Sequence, residues 1–375
     1  MKKYFTILCL SGLICLSGCM KQEEKDQKLA EALNTQNVQE VQKWLKKKAN
    51  PNAFMVLTEN NTQEEFRPLL MAVVKQNPEI TELLLKAGAD PNESVGPKKY
   101  NALVLASGHH SNAQIVKLLL DAGANPNLQD FNQETPLMYA ALLKTDINII
   151  KMLLKAGADP NIRNNHDATA LLCAVASNYP DAVKLLLEAK ATPDIINEYN
   201  KSPIALAAES GNNEIIKILL QHGANPNGNT DSSWDDKKNF HKLLASVQNS
   251  KENPIITPLA YASYTGNAQL VYMLLKAGAN PNIPNSDMNT PLLFAVSSPS
   301  NNRFKITKML LQAGADINYY NFHKENKTAY EFATDRNDLE MLKLLKKYGA
   351  QPAGDKSKRE QKLSISEDGG ITISK

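Results

Sequence analysis

Short apolar runs return along this chain at a nearly constant interval, and two phrases alternate within each interval. The first phrase opens with Thr or Ser, continues with Pro, and carries Leu and Ala three apart, as in "TPLMYA" at Thr135–Ala140 and "TPLLFA" at Thr290–Ala295. The second ends in paired leucines, a glycine and an "NPN" or "DPN" turn. "LLKAGADPN" occurs letter for letter at residues 84–92 and 153–161, and "LLKAGANPN" closes at Asn282. The glycine slot falls at Gly88, Gly123, Gly157, Lys190, Gly223, Gly278, Gly314 and Gly349, giving intervals of 35, 34, 33, 33, 55, 36 and 35. Lys48 in "KKKANPN" holds the same slot 40 residues before Gly88. The opening phrase keeps step, starting at Arg67, Asn101, Thr135, Thr169, Ser202, Thr257, Thr290 and Thr328.

The letters predict two short helices per interval. Thr135 or Thr290 is a good N-cap, and Pro136 or Pro291 sits at the first helical position, where a missing N–H costs nothing. Leu137 and Ala140 lie three apart and so share a face, the alanine admitting a close neighbour. Ile115, Val116, Leu118, Leu119 and Leu120 give the second helix its apolar stripe, and Gly123 ends it with a residue that adopts left-handed geometry without a Cβ penalty. The Asn-Pro-Asn or Asp-Pro-Asn triplet then turns the chain outwards. Each interval leaves an apolar face that only the next interval can cover. Lys190 departs from this scheme: a left-handed lysine in "EAKATPD" costs about 1 kcal/mol relative to glycine. The first and last intervals, "QKLAEALNTQNVQEVQKWLKKK" and "DLEMLKLLKKYGA", carry charge clusters on their outer helices, as end units should.

A period near 33, with T-P-L-x-x-A opening one helix and L-L-x-x-G-A closing another, resembles the ankyrin repeat. The resemblance implies an all-α ankyrin-repeat solenoid of paired antiparallel helices with short β-hairpin fingers. It covers about nine units over residues 28–352, the first lacking an opening phrase. The 55-residue interval holds an insertion at residues 228–256 in the finger region, where Phe240, Leu243, Leu244 and Val247 have helical spacing and Trp234 precedes them. That segment is either a helix folded over its own hairpin or a partner-contacting lobe. A smaller extension, Ala53–Phe66, sits at the first finger. The tail at 353–375 is polar, yet "LSISEDGGITIS" alternates, so it is either a loose tail or a hairpin with Leu363, Ile365, Ile371 and Ile373 on one face.

Ankyrin proteins bind other proteins on a concave surface of finger tips and first helices. Carried over by position, the finger candidates are Tyr100, Asp130, Phe131, Asn164, His166, Tyr199, Met288, Tyr319, Tyr320 and Phe322. The first-helix candidates are Glu209, Ser210, Tyr264, Thr265, Asp335 and Arg336; Trp234 and Phe240 join them from the insertion. Finger aromatics suit interface anchors, and they also pack on neighbouring fingers; both readings stay open at this point.

The N-terminus follows different rules. Met1, Lys2 and Lys3 precede the apolar run "YFTILCLSGLICL", and "LSGC" follows at Leu16–Cys19. Basic start, short apolar middle and small residues before a cut describe a secretory signal. "LSGC" resembles the lipobox of bacterial lipoproteins. That resemblance implies a signal peptide at 1–18, a diacylated and N-acylated Cys19 as the first mature residue, and a polar tether at 19–27. Met20, rather than Asp, implies outer-membrane sorting with the protein facing the periplasm. Cys9 and Cys15 leave with the signal, so Cys173 is the one remaining thiol and no intramolecular disulfide is expected.

The remaining signals restrict function. Lys and Arg total 42 against 39 Asp and Glu, a net of +3, which removal of Lys2 and Lys3 lowers to about +1. No basic footprint for nucleic acid results. The chain shows no Gly-rich phosphate loop, no metal-spaced Cys/His set and no nucleophile motif. His109-His110 falls where the family turns between helices, and Cys173 in "LLCAVA" falls on an inward face. The expectation is therefore a non-enzymatic, monomeric scaffold without cofactor, metal or catalytic residue. It is held at the membrane through Cys19 and binds a protein partner, the sharper form of this expectation being an immunity or inhibitor protein against a toxin or envelope enzyme. An enzyme or small-ligand site built around 228–256, and a structural envelope spacer, are the alternatives.

Overall fold

A computed structural model of the chain describes residues 5–6, 18–59, 62–96, 98–228, 257–285, 287–321, 327–351, 363–365 and 371–373. These residues contain nine helical pairs, divided between two compact units, 1–198 and 199–375. The first unit holds α1 (Gly18–Asn34) with α2 (Val38–Lys46), α3 (Pro68–Val74) with α4 (Pro78–Lys86), and α5 (Ala102–Ser107) with α6 (Ala113–Asp121). Its last two pairs are α7 (Pro136–Leu142) with α8 (Ile147–Lys155) and α9 (Ala170–Ala176) with α10 (Pro180–Glu188). The second unit holds α11 (Pro203–Ser210) with α12 (Asn213–Gln221) and α13 (Pro258–Thr265) with α14 (Ala268–Lys276). It continues with α15 (Pro291–Ser297) and α16 (Arg303–Gln312), then α17 (Ala329–Asp335) and α18 (Leu339–Lys347).

Both phrases of the sequence act as read. Thr135, Thr169, Ser202, Thr257, Thr290 and Thr328 cap their helices through side-chain oxygens that accept from backbone N–H groups three residues on. Thr328 completes a capping box with Glu331. Leu137 and Ala140 are fully buried, as are Ile115, Val116 and Leu119. The closing glycines are left-handed, for example Gly157 at φ 89°, and so are Lys190 at φ 66° and Lys48 at φ 68°.

The Asn that ends each turn has a role beyond bending the chain. Asn127 Nδ2 donates to the Gly157 carbonyl at 3.0 Å, and its Oδ1 accepts from Asp159 N at 2.8 Å. Asn52, Asn92 and Asn161 reach the next repeat in the same way in the first unit, as Asn282 does in the second. One amide thus satisfies a helix-end carbonyl and a turn N–H of its neighbour, groups that need partners outside the helix. Asn227 makes the second of these bonds across the insertion: its Oδ1 accepts from Asn280 N at 2.8 Å, although 53 residues separate the two. The repeats on either side of the insertion are therefore stacked directly, α11 against α13 and α12 against α14.

The fingers and ends fill in the rest. The extension at Ala53–Phe66 is a hairpin of β2 (Met55–Glu59) and β3 (Thr62–Phe66), pairing Met55 with Phe66. Near the start of the chain, β1 (Phe5–Thr6) lies antiparallel to β2. Shorter fingers pair β4 (Ser94–Val95) with β5 (Tyr100–Asn101) and β6 (Tyr320–Asn321) with β7 (Lys327–Thr328). In the tail, β8 (Leu363–Ile365) pairs antiparallel with β9 (Ile371–Ile373), Leu363 opposite Ile373. The stretch expected as a polar tether is instead helical, because α1 begins at Gly18. There Asp26 is buried and accepts from Asn50 N at 2.6 Å and Gln22 Nε2 at 2.8 Å, tying the helix to the first turn. Burial holds its carboxyl above the ordinary value, against the opposing pull of the Asn50 and Gln22 hydrogen bonds.

Candidate partner-binding surface

The finger residues of the first unit fall into two groups. Phe131 is 63% exposed, and the His166 side chain is exposed beside Glu198, with Nδ1 and Oε1 2.7 Å apart. Tyr100 is half-buried in β5, with the Lys98 ammonium 5.8 Å from its ring centre. Main-chain bonds join successive tips: Phe131 N donates to Lys98 O, Asn165 N to Asn132 O, and Glu198 N to His166 O. Asp130 and Asn164 were expected as contact residues and are buried instead. Asp130 Oδ1 accepts from Asn132 N and Glu134 N, and its Oδ2 accepts from the Tyr139 hydroxyl at 2.8 Å. Asn164 Oδ1 accepts from His166 N and Ala168 N. Both close the finger turn, because a short side-chain acceptor supplies the bonds that a bent backbone cannot make for itself.

In the second unit Met288 is also a correction. It occupies a left-handed position at φ 61° and is 2% exposed, so it anchors its finger from within. Tyr319 is half-buried with its hydroxyl enclosed, and burial pushes that hydroxyl well above its ordinary pKa. Tyr320 is half-buried in β6. Tyr199 and Tyr264 are about half exposed, at 51% and 53%. Glu209, Ser210, Thr265, Asp335 and Arg336 are exposed at first-helix ends. Glu209 pairs with Lys201 at 2.7 Å and Asp335 with Lys327 at 2.9 Å. Trp234, Phe240 and Phe322 lie outside the described residues, as does nearly all of the 228–256 insertion.

One group of surface residues escaped sequence reasoning. The fifth letter of the opening phrase is Met71, Leu105, Tyr139 and Cys173 in the first unit, all buried. In the second unit it is Leu206, Tyr261, Phe294 and Phe332, all half-buried rather than buried. The Tyr264 ring meets Phe294 edge-on, with centroids 5.8 Å apart. Phe294 and Phe332 line a cleft of ≈ 390 Å³ with Asn289, Ser297, Asp335 and Arg336. The sequence shows this letter to be one of the variable ones of the phrase, but not which of its occupants reach the surface.

No arrangement of catalytic or metal-ligating groups accompanies this surface among the described residues. No cluster of three or more His, Cys, Asp or Glu is positioned to hold a metal there. His109 packs on Tyr139, with ring centres 5.4 Å apart, while burial first and His109 second lower the pKa of His110. Cys173 is buried in α9, and burial pushes its thiol up to about 12, away from the nucleophilic form. Nor is any described helix long and apolar enough to cross a membrane.

Paired helices, left-handed glycine closures, projecting fingers and an aromatic inner face define a repeat scaffold for protein recognition. Residues 69–164, 137–230, 234–321 and 259–356 match the family described as ankyrin repeats (3 copies), and the chain belongs to that family. The human transient receptor potential cation channel subfamily A member 1 is 35% identical over 96 residues, covering 26% of this chain and 8% of the channel subunit. A putative ankyrin repeat protein of Acanthamoeba polyphaga mimivirus is 32% identical over 96 residues, covering 25% of this chain and 58% of that protein. This chain therefore spans less than two thirds of either curated relative. The crystal structure of the Bcl-3 ankyrin repeat domain superposes with a TM-score of 0.52 at 26% identity, covering 65% of this chain and 98% of that domain. Ankyrin repeats are interaction scaffolds and generally bind protein partners.

Proposed function

We propose that this protein is a non-enzymatic ankyrin scaffold that captures a protein partner at a bacterial envelope membrane, to which an acylated Cys19 fixes it. The observation that carries the partner-binding part is the aromatic set on the first helices of the second unit, where Tyr264 is exposed and Tyr261, Phe294 and Phe332 are half-buried with part of each ring at the surface. Large, stiff aromatic side chains gain much contact area for little lost entropy, and exposed ones on a rigid surface are natural anchors. "LSGC" at residues 16–19 supports the anchor, since acyl chains on one residue give stable membrane attachment. An immunity or inhibitor role is the special case in which the captured protein is a toxin or envelope enzyme that loses activity on binding.

Cross-linking capture from cells tests the reading. A Tyr264→Ala/Phe294→Ala chain should lose a co-purifying protein that the wild type retains, with unchanged helical circular dichroism. Identical captured proteins from both chains would sink the inner-face assignment. Acyl labelling that survives Cys19→Ala would sink the anchor.

A further inference from the structure

The outer helices of the last three repeats differ in charge pattern from those before them; α12 still balances Glu214 against Lys217. In the first unit, α4, α6 and α10 each pair a lysine with an acid four residues away: Lys86 with Glu82, Lys117 with Asp121, and Lys184 with Glu188. α8 is the exception, carrying Lys151 and Lys155 with no acid. In the second unit, α14, α16 and α18 carry Lys276, Arg303, Lys305, Lys308, Lys343, Lys346 and Lys347 against the single acid Glu340. Arg303 is occupied by Asp338 at 2.8 Å, and Lys346 lies against the Tyr330 ring. The other five lysines are exposed and meet no carboxylate among the described residues.

Helical spacing aligns these charges. Lys305 and Lys308 on α16 and Lys343 on α18 border one open cleft of ≈ 560 Å³, whose apolar walls are Phe304 and Leu344. Tyr272 on α14, 54% exposed, and Leu339 at the start of α18, 63% exposed, extend the apolar element beyond the cleft. A cap repeat that needs only solubility is served as well by mixed charges as by one sign. A lysine-rich array with one acid, Glu340, interleaved with exposed aromatic and aliphatic side chains, matches the chemistry of an anionic lipid interface, where ammonium groups meet phosphates and apolar groups enter the headgroup boundary.

We propose that the outer face of α14, α16 and α18 docks on an anionic phospholipid surface. This face lies on the second helix of each pair, so lipid contact leaves the inner-face aromatics of the first helices free. The inference does not depend on the fate of Cys19 or on the inner-face partner.

Amine acetylation footprinting of the full chain tests it, with vesicles of phosphatidylcholine alone or mixed with phosphatidylglycerol. Lys305, Lys308 and Lys343 should be protected about fivefold or more by the anionic vesicles, as expected for several lysines each contributing near a charged surface. Neutral vesicles should give no protection, and high salt should remove it. Lys305→Glu/Lys308→Glu/Lys343→Glu should weaken anionic-vesicle recruitment at least about tenfold, while the corresponding triple arginine variant retains it and controls for folding. Glu340→Gln, removing the one acid of the cleft, should strengthen recruitment. Equal protection by both vesicle types, or undiminished recruitment of the triple glutamate variant, would overturn the proposal. So would protection that appears only with an acidic protein and not with the lipid.

Discussion

Lys190 offers the sharpest test of how the repeat closes. Its φ of 66° is the geometry that glycine adopts at Gly157, and its backbone bonds match: Lys190 N to Leu187 O at 3.0 Å and Ala191 N to Leu186 O at 2.9 Å. Its carbonyl also accepts from Asn161 Nδ2, as Gly157 accepts from Asn127. The same closure has therefore been built with a residue carrying a Cβ. Left-handed backbone costs an L-residue roughly 1–2 kcal/mol. Glycine recovers that strain but brings about 0.4–1 kcal/mol of extra entropy to the unfolded chain. Lys190→Gly should thus stabilise the fold by about 0.5–1 kcal/mol. Gly157→Ala should cost about 1 kcal/mol by the same reasoning reversed, through backbone strain and not a clash, since nothing lies within 4 Å of a Cβ at that site. Repeat arrays need not unfold in a single step, so local amide exchange is the appropriate assay. Amides of α10 should exchange about two- to fivefold more slowly in Lys190→Gly. Faster exchange there, or an unaffected α8 in Gly157→Ala, would refute the account.

Asn127→Ala removes both bonds to the next repeat and should cost about 1–2 kcal/mol, read as faster exchange of the Asp159 amide. Burial raises Asp26 above its usual carboxylate value, so the folded chain holds that proton more tightly than the unfolded one. Its contribution to stability grows as pH falls towards the acidic range; Asp26→Asn should therefore be at least as stable as wild type at neutral pH, with the difference shrinking near pH 4 in paired urea titrations. Cys173, with its thiol pushed up to about 12, should resist iodoacetamide at mildly alkaline pH until the chain unfolds, as site-resolved mass spectrometry would report. Prompt labelling of the folded chain would contradict its burial.

Nearly all of the local architecture was legible before the structure. Helix caps, Pro at first turns, the apolar stripes and the left-handed closures depend on contacts a few residues apart, and one strict period repeats them. The count of about nine units and the strained slot at Lys190 come from that period alone. Even the Asn of "PN" was legible as a turn residue, although its bonds to the next repeat were not.

The surface was less legible because burial at a finger depends on neighbours about 33 residues away. Asp130, Asn164 and Met288 look like tip residues by position, yet two close their turns from inside and the third is buried. Their phase gives a clue in hindsight: Asp130 and Asn164 stand five residues before Thr135 and Thr169, and Asn285, likewise buried, stands five before Thr290. The fifth letter of the opening phrase gives no such clue, since Tyr139 is buried there and Tyr261, at the same letter, is only partly covered. Sequence by itself determined the repeating unit, since its forces are local and periodic. Tertiary structure decided that the stack runs unbroken past the insertion, that Tyr261, Phe294 and Phe332 of the second unit stay only partly covered, and that five lysines of its last three outer helices meet no carboxylate among the described residues, because each of these depends on which side chains of distant repeats meet.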